Sequence, residues 1–150
     1  LIIPGGESTT VGKLLVRFGL MEAIRRRAAE GMPIFGTCAG LILLAKRITG
    51  SNQPSLELMD ITANRNAFGR QIDSFEQDIE VKGLETPFHA VFIRAPLIEE
   101  VGPEVEVWSQ IGAKTVLARE KNFLAAAFHP ELTEDLRIHR VFLEMCGSKK

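Results

Sequence analysis

Apolar and polar positions along this chain change period several times, and each change marks an element. Leu1-Ile2-Ile3 is a short apolar run stopped by Pro4-Gly5-Gly6, which reads as the end of a buried strand and a turn. Ser8 or Thr9 then caps a helix whose apolar positions Val11, Leu14, Leu15 and Phe18 fall at helical spacing. Gly19 breaks it. A second helix runs from Leu20 to Glu30, with Met21, Ile24 and Ala28 on its inner face, and Gly31 closes it. Arg25-Arg26-Arg27 reads as a solvated helix face, with contact to a partner protein as the alternative. Ile34-Phe35 is a buried strand between Pro33 and Gly36, and Leu41 to Arg47 reads as a helix.

The middle of the chain is strand-rich. Ile48 to Ser55 is a polar loop, Met59 to Ala63 a strand, and Asn64 to Gln71 a glycine-containing loop or strand end. Asp78 to Lys82 alternates as a half-exposed antiparallel strand. Ala90 to Ile93 is buried strand, Val105–Trp108 and Thr115–Leu117 form a hairpin, and Phe123 to Phe128 is another buried strand. Asp135 to Met145 closes the chain as an amphipathic helix with Leu136, Val141, Phe142 and Met145 apolar. Helices early and late around these strands predict an α/β domain: a mainly parallel central sheet flanked by helices, with a small antiparallel part.

Composition narrows the possibilities. With 150 residues, 45% hydrophobic and 25% charged, the chain fits one soluble domain. A net charge of −1 gives no electrostatic footprint for a nucleic-acid partner. No stretch reads as a membrane span or signal peptide. Two cysteines make no disulfide framework and no metal-type spacing, and a reducing, cytoplasmic setting is expected. Cys146 reads as a packing residue, and His89 and His139 as surface or satisfied histidines.

Cys38 is different. It lies in Gly36-Thr37-Cys38-Ala39-Gly40, on the turn from strand to helix, which is the nucleophile-elbow pattern with sulfur in place of a serine oxygen. The glycines suit a turn too sharp for a bulky Cβ, and a helix N-terminus biases a thiol toward thiolate. A buried structural cysteine is the bland alternative. His129-Pro130-Glu131 follows another buried strand, and the carboxyl ends of strands in open α/β sheets are where ligands bind. His129 can exchange a proton with the thiol and a leaving amine, and Glu131 can fix its tautomer. The Ala39 N–H and a backbone N–H at Gly5-Gly6 are candidate oxyanion donors; a plain tight turn is the alternative for the glycine pair.

The motifs carry a resemblance. Pro4-Gly5-Gly6-Glu7-Ser8-Thr9, the cysteine elbow, Arg65-Asn66-Ala67-Phe68-Gly69-Arg70-Gln71, Phe92-Ile93-Arg94-Ala95-Pro96 and Phe128 to Asp135 are similar to the class I, triad-type glutamine amidotransferases. Within that class they resemble the glutaminase subunits of pyridoxal 5′-phosphate synthase. The resemblance implies a flavodoxin-like amidotransferase fold over residues 1–150 as a single domain. It implies a Cys38–His129–Glu131 triad that hydrolyses L-glutamine to L-glutamate and ammonia. Glutamine would be held by Gly6, Glu7, Ser8, Arg65, Ile93 and Arg94, with Gly6 and Ala39 forming the oxyanion hole. Without the resemblance, Arg65 and Arg94 read as structural ion-pair partners. The resemblance further implies one partner, a synthase subunit that receives the ammonia, and no cofactor or metal on this chain. Family members begin with a strand-helix-strand unit of roughly thirty or more residues that has no counterpart here, so the domain is expected to be truncated at its N-terminus. A cysteine peptidase or other thiol amidase, and a regulatory subunit with a decayed site, are the competing readings.

Overall fold

The computed structural model describes residues 1–65 and 74–147. The chain begins with β1 (Ile2–Ile3), α1 (Ser8–Arg17), α2 (Leu20–Ala29), β2 (Ile34–Thr37) and α3 (Ala39–Leu44). Strands β3 (Ala45–Ile48), β4 (Met59–Asn64), β5 (Ser74–Ile79), β6 (Phe88–Ile93), β7 (Leu97–Val101), β8 (Glu106–Ile111), β9 (Lys114–Glu120) and β10 (Phe123–Ala126) follow. A 3-10 turn at Pro130–Leu132 and α4 (Arg137–Met145) end the described chain.

The expected α/β class holds. One sheet has the order β1-β2-β10-β9-β7-β4-β3, with β8 paired to β9, and β5-β6 form a separate antiparallel pair. Parallel pairing joins β1 to β2, β2 to β10 and β3 to β4. Antiparallel pairing joins β10 to β9, β4 to β7, β7 to β9 and β8 to β9. The three-strand parallel block β1-β2-β10 matters most, because its carboxyl ends lie side by side. Ile3 pairs with Gly36, and Thr37 pairs with Ala126. The segments that leave these strands, Gly5-Gly6, Cys38 and His129, therefore emerge along one sheet edge.

The core is continuous. Phe35, Phe88, Phe92, Phe128 and the whole of α3 are buried, and Phe35 packs against Phe142 of α4 with ring centroids 5.5 Å apart. Complete burial of α3 explains why its end differs from the expected one. Leu41 to Ala45 is apolar on every side, so periodicity has no polar face from which to place a boundary. The helix stops at Leu44, Ala45 turns extended (ψ 140°), and Ala45–Ile48 pairs with β4 as a strand instead of continuing the helix to Arg47. The strand expected at Asp78–Lys82 runs instead over Ser74–Ile79; Lys82 N–H and the Glu80 carbonyl bond to Trp108 and Ser109 outside a ladder.

Other expectations need smaller corrections. Glu7, not Ser8 or Thr9, caps α1: its carboxylate accepts from the N–H groups of Thr9 (3.1 Å) and Thr10 (2.8 Å). Val11 and Leu15 pack against the core as expected, but the fully buried positions of α1 are Ser8 and Gly12, where the Pro54 carbonyl sits 2.5 Å from the place a Cβ on Gly12 would take. Leu14 and Phe18, the other two apolar positions of that spacing, are exposed. Leu136 and Cys146 are exposed as well. Arg25 is not merely solvated, since it donates to the carbonyls of Ser55 (2.9 Å) and Leu56 (3.0 Å). His89 is satisfied by Asp78 and Glu76, whereas Nδ1 of His139 is buried with no hydrogen-bond partner among the described residues. No described helix is long and apolar enough to cross a membrane.

The tightest backbone approach is at Gly40, where an added Cβ would lie 2.0 Å from the Ile3 carbonyl oxygen. Neither backbone can yield without moving β1 or α3. Gly40→Ala is expected to destabilise the fold by about 1–3 kcal/mol, read as a lower denaturant midpoint at unchanged slope. An unchanged midpoint would contradict this packing.

Candidate active site

Three parallel strand ends build the site. Cys38 follows β2 directly and is the residue before α3, with φ 50° and ψ −105°. That is a costly conformation for a non-glycine residue and one found where function demands it. It is held from both sides. The Cys38 N–H donates to the Ala126 carbonyl at 2.8 Å, extending the β2–β10 ladder by one bond. Beyond it, Gly36 and Gly40 allow the elbow to close, since a Cβ on Gly36 would lie 2.5 Å from the Gly40 carbonyl. Here the glycines serve close approach and not a positive φ.

His129 leaves β10 three residues past its end, and its backbone N–H donates to the Val91 carbonyl of β6 at 2.8 Å. Its imidazole is largely buried, with 13% exposure. Nδ1 lies 2.7 Å from Oε1 of Glu131, which assigns the Nδ1 proton because an ionised carboxylate can only accept. The other ring nitrogen is left for the Cys38 sulfur. These contacts raise the pKa of His129 to about 9: the sulfur contributes most, burial opposes it, and Glu131 adds to the rise. An imidazolium beside the sulfur favours the thiolate, which is the nucleophilic form. Sγ also lies 3.9 Å from the Ile93 carbonyl, a weak S–H···O contact.

A cleft of about 410 Å³ opens over the sulfur. Gly6, Glu7, Ser8, Cys38, Ala39, Arg65, Ile93, Arg94 and His129 all line it, so the residues singled out from the sequence converge, apart from Glu131, which stands behind His129. Ile42 and Pro96 complete the wall; Pro96 ends the Phe92–Pro96 motif, and neither is singled out as a site residue by the sequence. Gly6 has φ 148°, and Arg94 takes a positive φ of 41° at the cleft. Ala39 is the first residue of α3, so its N–H has no acceptor within the helix. The side chains of Glu7 and Arg65 are already engaged. Arg65 Nη2 donates to Glu7 Oε1 at 3.1 Å, and Nη1 donates to Thr9 Oγ1 (3.1 Å) and Gln53 Oε1 (3.0 Å). Glu7 is held well below the usual carboxylate range, at about 2, first by the Thr10 hydroxyl and then by the backbone N–H groups it caps. Asn66 to Gln71, the rest of the Arg65 motif, lies outside the described residues.

Sequence reasoning also missed a contact behind the histidine. A Cβ on Gly5 would come within 2.5 Å of His129 Cε1, so the first glycine of the pair provides the space in which the imidazole lies. The Pro-Gly-Gly signature shows a turn; only the strand order shows what stands opposite it.

A thiol on a strand-to-helix elbow, a charged histidine from the next parallel strand and a cleft with backbone N–H groups define a class of α/β protein equipped for acyl transfer at sulfur. The chain belongs to the SNO glutamine amidotransferase family, whose model matches residues 1–148. It is 60% identical over 148 residues to the pyridoxal 5′-phosphate synthase subunit PdxT of Moorella thermoacetica, covering 98% of this chain and 79% of that one. It is 64% identical over 148 residues to the PdxT subunit of Herpetosiphon aurantiacus, covering 95% and 78%. A crystal structure described as a glutamine amidotransferase superposes with a TM-score of 0.94 at 54% identity, over 98% of this chain and 78% of that chain. A glutamine amidotransferase from Thermotoga maritima shares the fold, with a TM-score of 0.56 at 13% identity, over 99% of this chain and 66% of that one. Family membership decides for the amidotransferase over the peptidase reading.

His129 provides a check on the electrostatics. Its titration followed by NMR is expected near pH 9, and Cys38→Ala should lower the midpoint more than Glu131→Gln does. The folded pKa lies above the unfolded value of 6.5. The stability His129 contributes is therefore fully present below about pH 6.5 and lost as pH rises through about 9. A midpoint near 6.5 in the unaltered chain would contradict the pairing.

Proposed function

We propose that this chain is a glutaminase subunit of pyridoxal 5′-phosphate synthase. It hydrolyses L-glutamine to L-glutamate and ammonia, and it delivers the ammonia to a synthase subunit in the cytoplasm. Residues 1–150 act as a single amidotransferase domain. The observation that carries the reading is the placement of Cys38 and His129 on adjacent parallel strand ends inside one cleft, in a chain of this family. The names of its relatives support the synthase partner.

The chemistry follows from the geometry. The proton His129 carries is the one Cys38 gives up, so the thiolate sulfur attacks the side-chain amide carbonyl of glutamine while the N–H groups of Ala39 and Gly6 donate to the oxygen on which charge develops. His129, protonated at neutral pH and oriented by Glu131, gives its proton to the departing nitrogen, so ammonia leaves and a γ-glutamyl thioester remains. The now neutral His129 takes a proton from water as it attacks the thioester. Collapse of the second tetrahedral species returns the sulfur and releases glutamate. Arg65 faces the α-carboxylate of the substrate, while Glu7, Ser8 and the Ile93-Arg94 segment hold the rest of the zwitterion. Every step is served by side chains and backbone N–H groups, so the reading calls for no cofactor.

Ammonia release from glutamine, measured with the synthase subunit present, is expected to fall by about 10⁴-fold or more in Cys38→Ala. Glu131→Gln should slow it by about ten- to a hundredfold with the thiol intact, the effect limited by the half-exposed position of Glu131. Turnover in Cys38→Ala would mean another nucleophile, and an unchanged rate in Glu131→Gln would remove that carboxylate from the mechanism.

A further inference from the structure

We infer that Gln53, which lies outside every motif named above, is a positioning residue for Arg65 and thereby sets the preference of the cleft for a ligand carrying a free α-carboxylate. The inference rests on the glutaminase reading and deepens it.

Three donors converge on one oxygen of Gln53. Arg65 Nη1 donates to Oε1 at 3.0 Å, the Thr9 hydroxyl at 3.1 Å and the Ser8 hydroxyl at 3.4 Å. A guanidinium has no acceptor, so the amide must turn its oxygen toward Arg65 and cannot be flipped. Arg65 Nη1 also donates to the Thr9 hydroxyl at 3.1 Å, which closes a triangle of hydrogen bonds between the strand end at Arg65, the start of α1 and Gln53.

The loop that carries Gln53 is built to stay still. Gln53 N–H donates to Ser51 Oγ at 3.2 Å, and the Pro54 carbonyl is seated against Gly12 of α1. Arg25 of α2 holds the carbonyls of Ser55 and Leu56, and Leu56 N–H donates to the Leu43 carbonyl of α3 at 2.7 Å. Three helices thus fix the loop, and Gln53 presents a rigid acceptor to a long side chain that would otherwise sample many rotamers.

The choice of an amide has an electrostatic consequence. The other edge of Arg65 already meets Glu7, whose carboxylate is shared with the first N–H groups of α1. A neutral acceptor at position 53 therefore holds the guanidinium without adding a second negative charge. The guanidinium, charged at any working pH, lines the cleft. A carboxylate at 53 would keep the geometry but compete with the ligand's own carboxylate for Arg65. An apolar side chain of the same length would release the arginine.

The test compares L-glutamine with L-glutamine methyl ester, which has the same scissile amide and no α-carboxylate. The full chain with its synthase subunit is assayed for ammonia release, and the ratio of kcat/KM for the two substrates is recorded. Gln53→Met and Gln53→Glu are each expected to lower that ratio by about tenfold or more, through a higher KM for glutamine at a kcat little changed. General damage to the fold would lower both substrates together and leave the ratio alone. If Gln53→Met does not fold, Gln53→Glu, which preserves shape and acceptor, decides. Ratios equal to that of the unaltered chain would overturn the role of Gln53 while leaving the glutaminase reading intact. No ammonia from glutamine in the unaltered complex would overturn that reading, and this inference with it.

Discussion

Three backbones touch at the elbow, and they can do so only because Gly36 and Gly40 lack side chains. The Ile3 carbonyl of β1 occupies the space a Cβ on Gly40 would need, and Gly40 itself occupies the space beside Gly36. The contact locks β1, β2 and α3 into one unit, and that unit holds Cys38 in a backbone conformation that costs on the order of 1–3 kcal/mol. The cost is offset by the complete burial of α3 and by the bond from Cys38 N–H to Ala126. Because β10 lies parallel to β2 in the same block, the thiol and the imidazole meet without a long loop between them.

Electrostatics divides the cleft into two sides. On one, Glu131, His129 and the Cys38 sulfur form a line of alternating charge tendency in which a largely buried imidazole remains protonated at neutral pH. On the other, Glu7 and Arg65 pair at the mouth of α1, with Gln53 as the neutral third member. In the proposed reaction the first side makes and breaks bonds, and the second meets the charge of the substrate's far end. Both sides hang on elements packed against α3, which explains why a small helix of six residues organises so much of the molecule.

Much of the site could be read in the chain. The elbow glycines, the apolar strands before Cys38 and His129, and the Gly5-Gly6 turn announce themselves through local pattern, and the residues they position, Cys38, His129 and Gly6, line one cleft. What could not be read depends on residues distant in sequence. Gln53 sits in a polar loop with no periodicity, and its partners Ser8, Thr9 and Arg65 come from elsewhere. Gly5 shows its contact with His129 only once the order β1-β2-β10 is known. The strand Leu97–Val101 gives no local signal because Glu99 and Glu100 break its apolar run. Their carboxylates are satisfied by Thr49, Asn64 and Thr62 from neighbouring segments of chain, which no local pattern reveals. The end of α3 is illegible for the opposite reason, since an apolar stretch buried on all sides carries no phase.

Whether Cys38 carries the acyl group of glutamine is tested most directly by intact-protein and peptide mass spectrometry, after rapid acid quench of the chain mixed with glutamine and its synthase subunit. A γ-glutamyl thioester mapped to Cys38, absent when glutamine is omitted, is the predicted result. Steady ammonia release with no adduct on Cys38 at any quench time, or an adduct mapped to Cys146, would contradict the account.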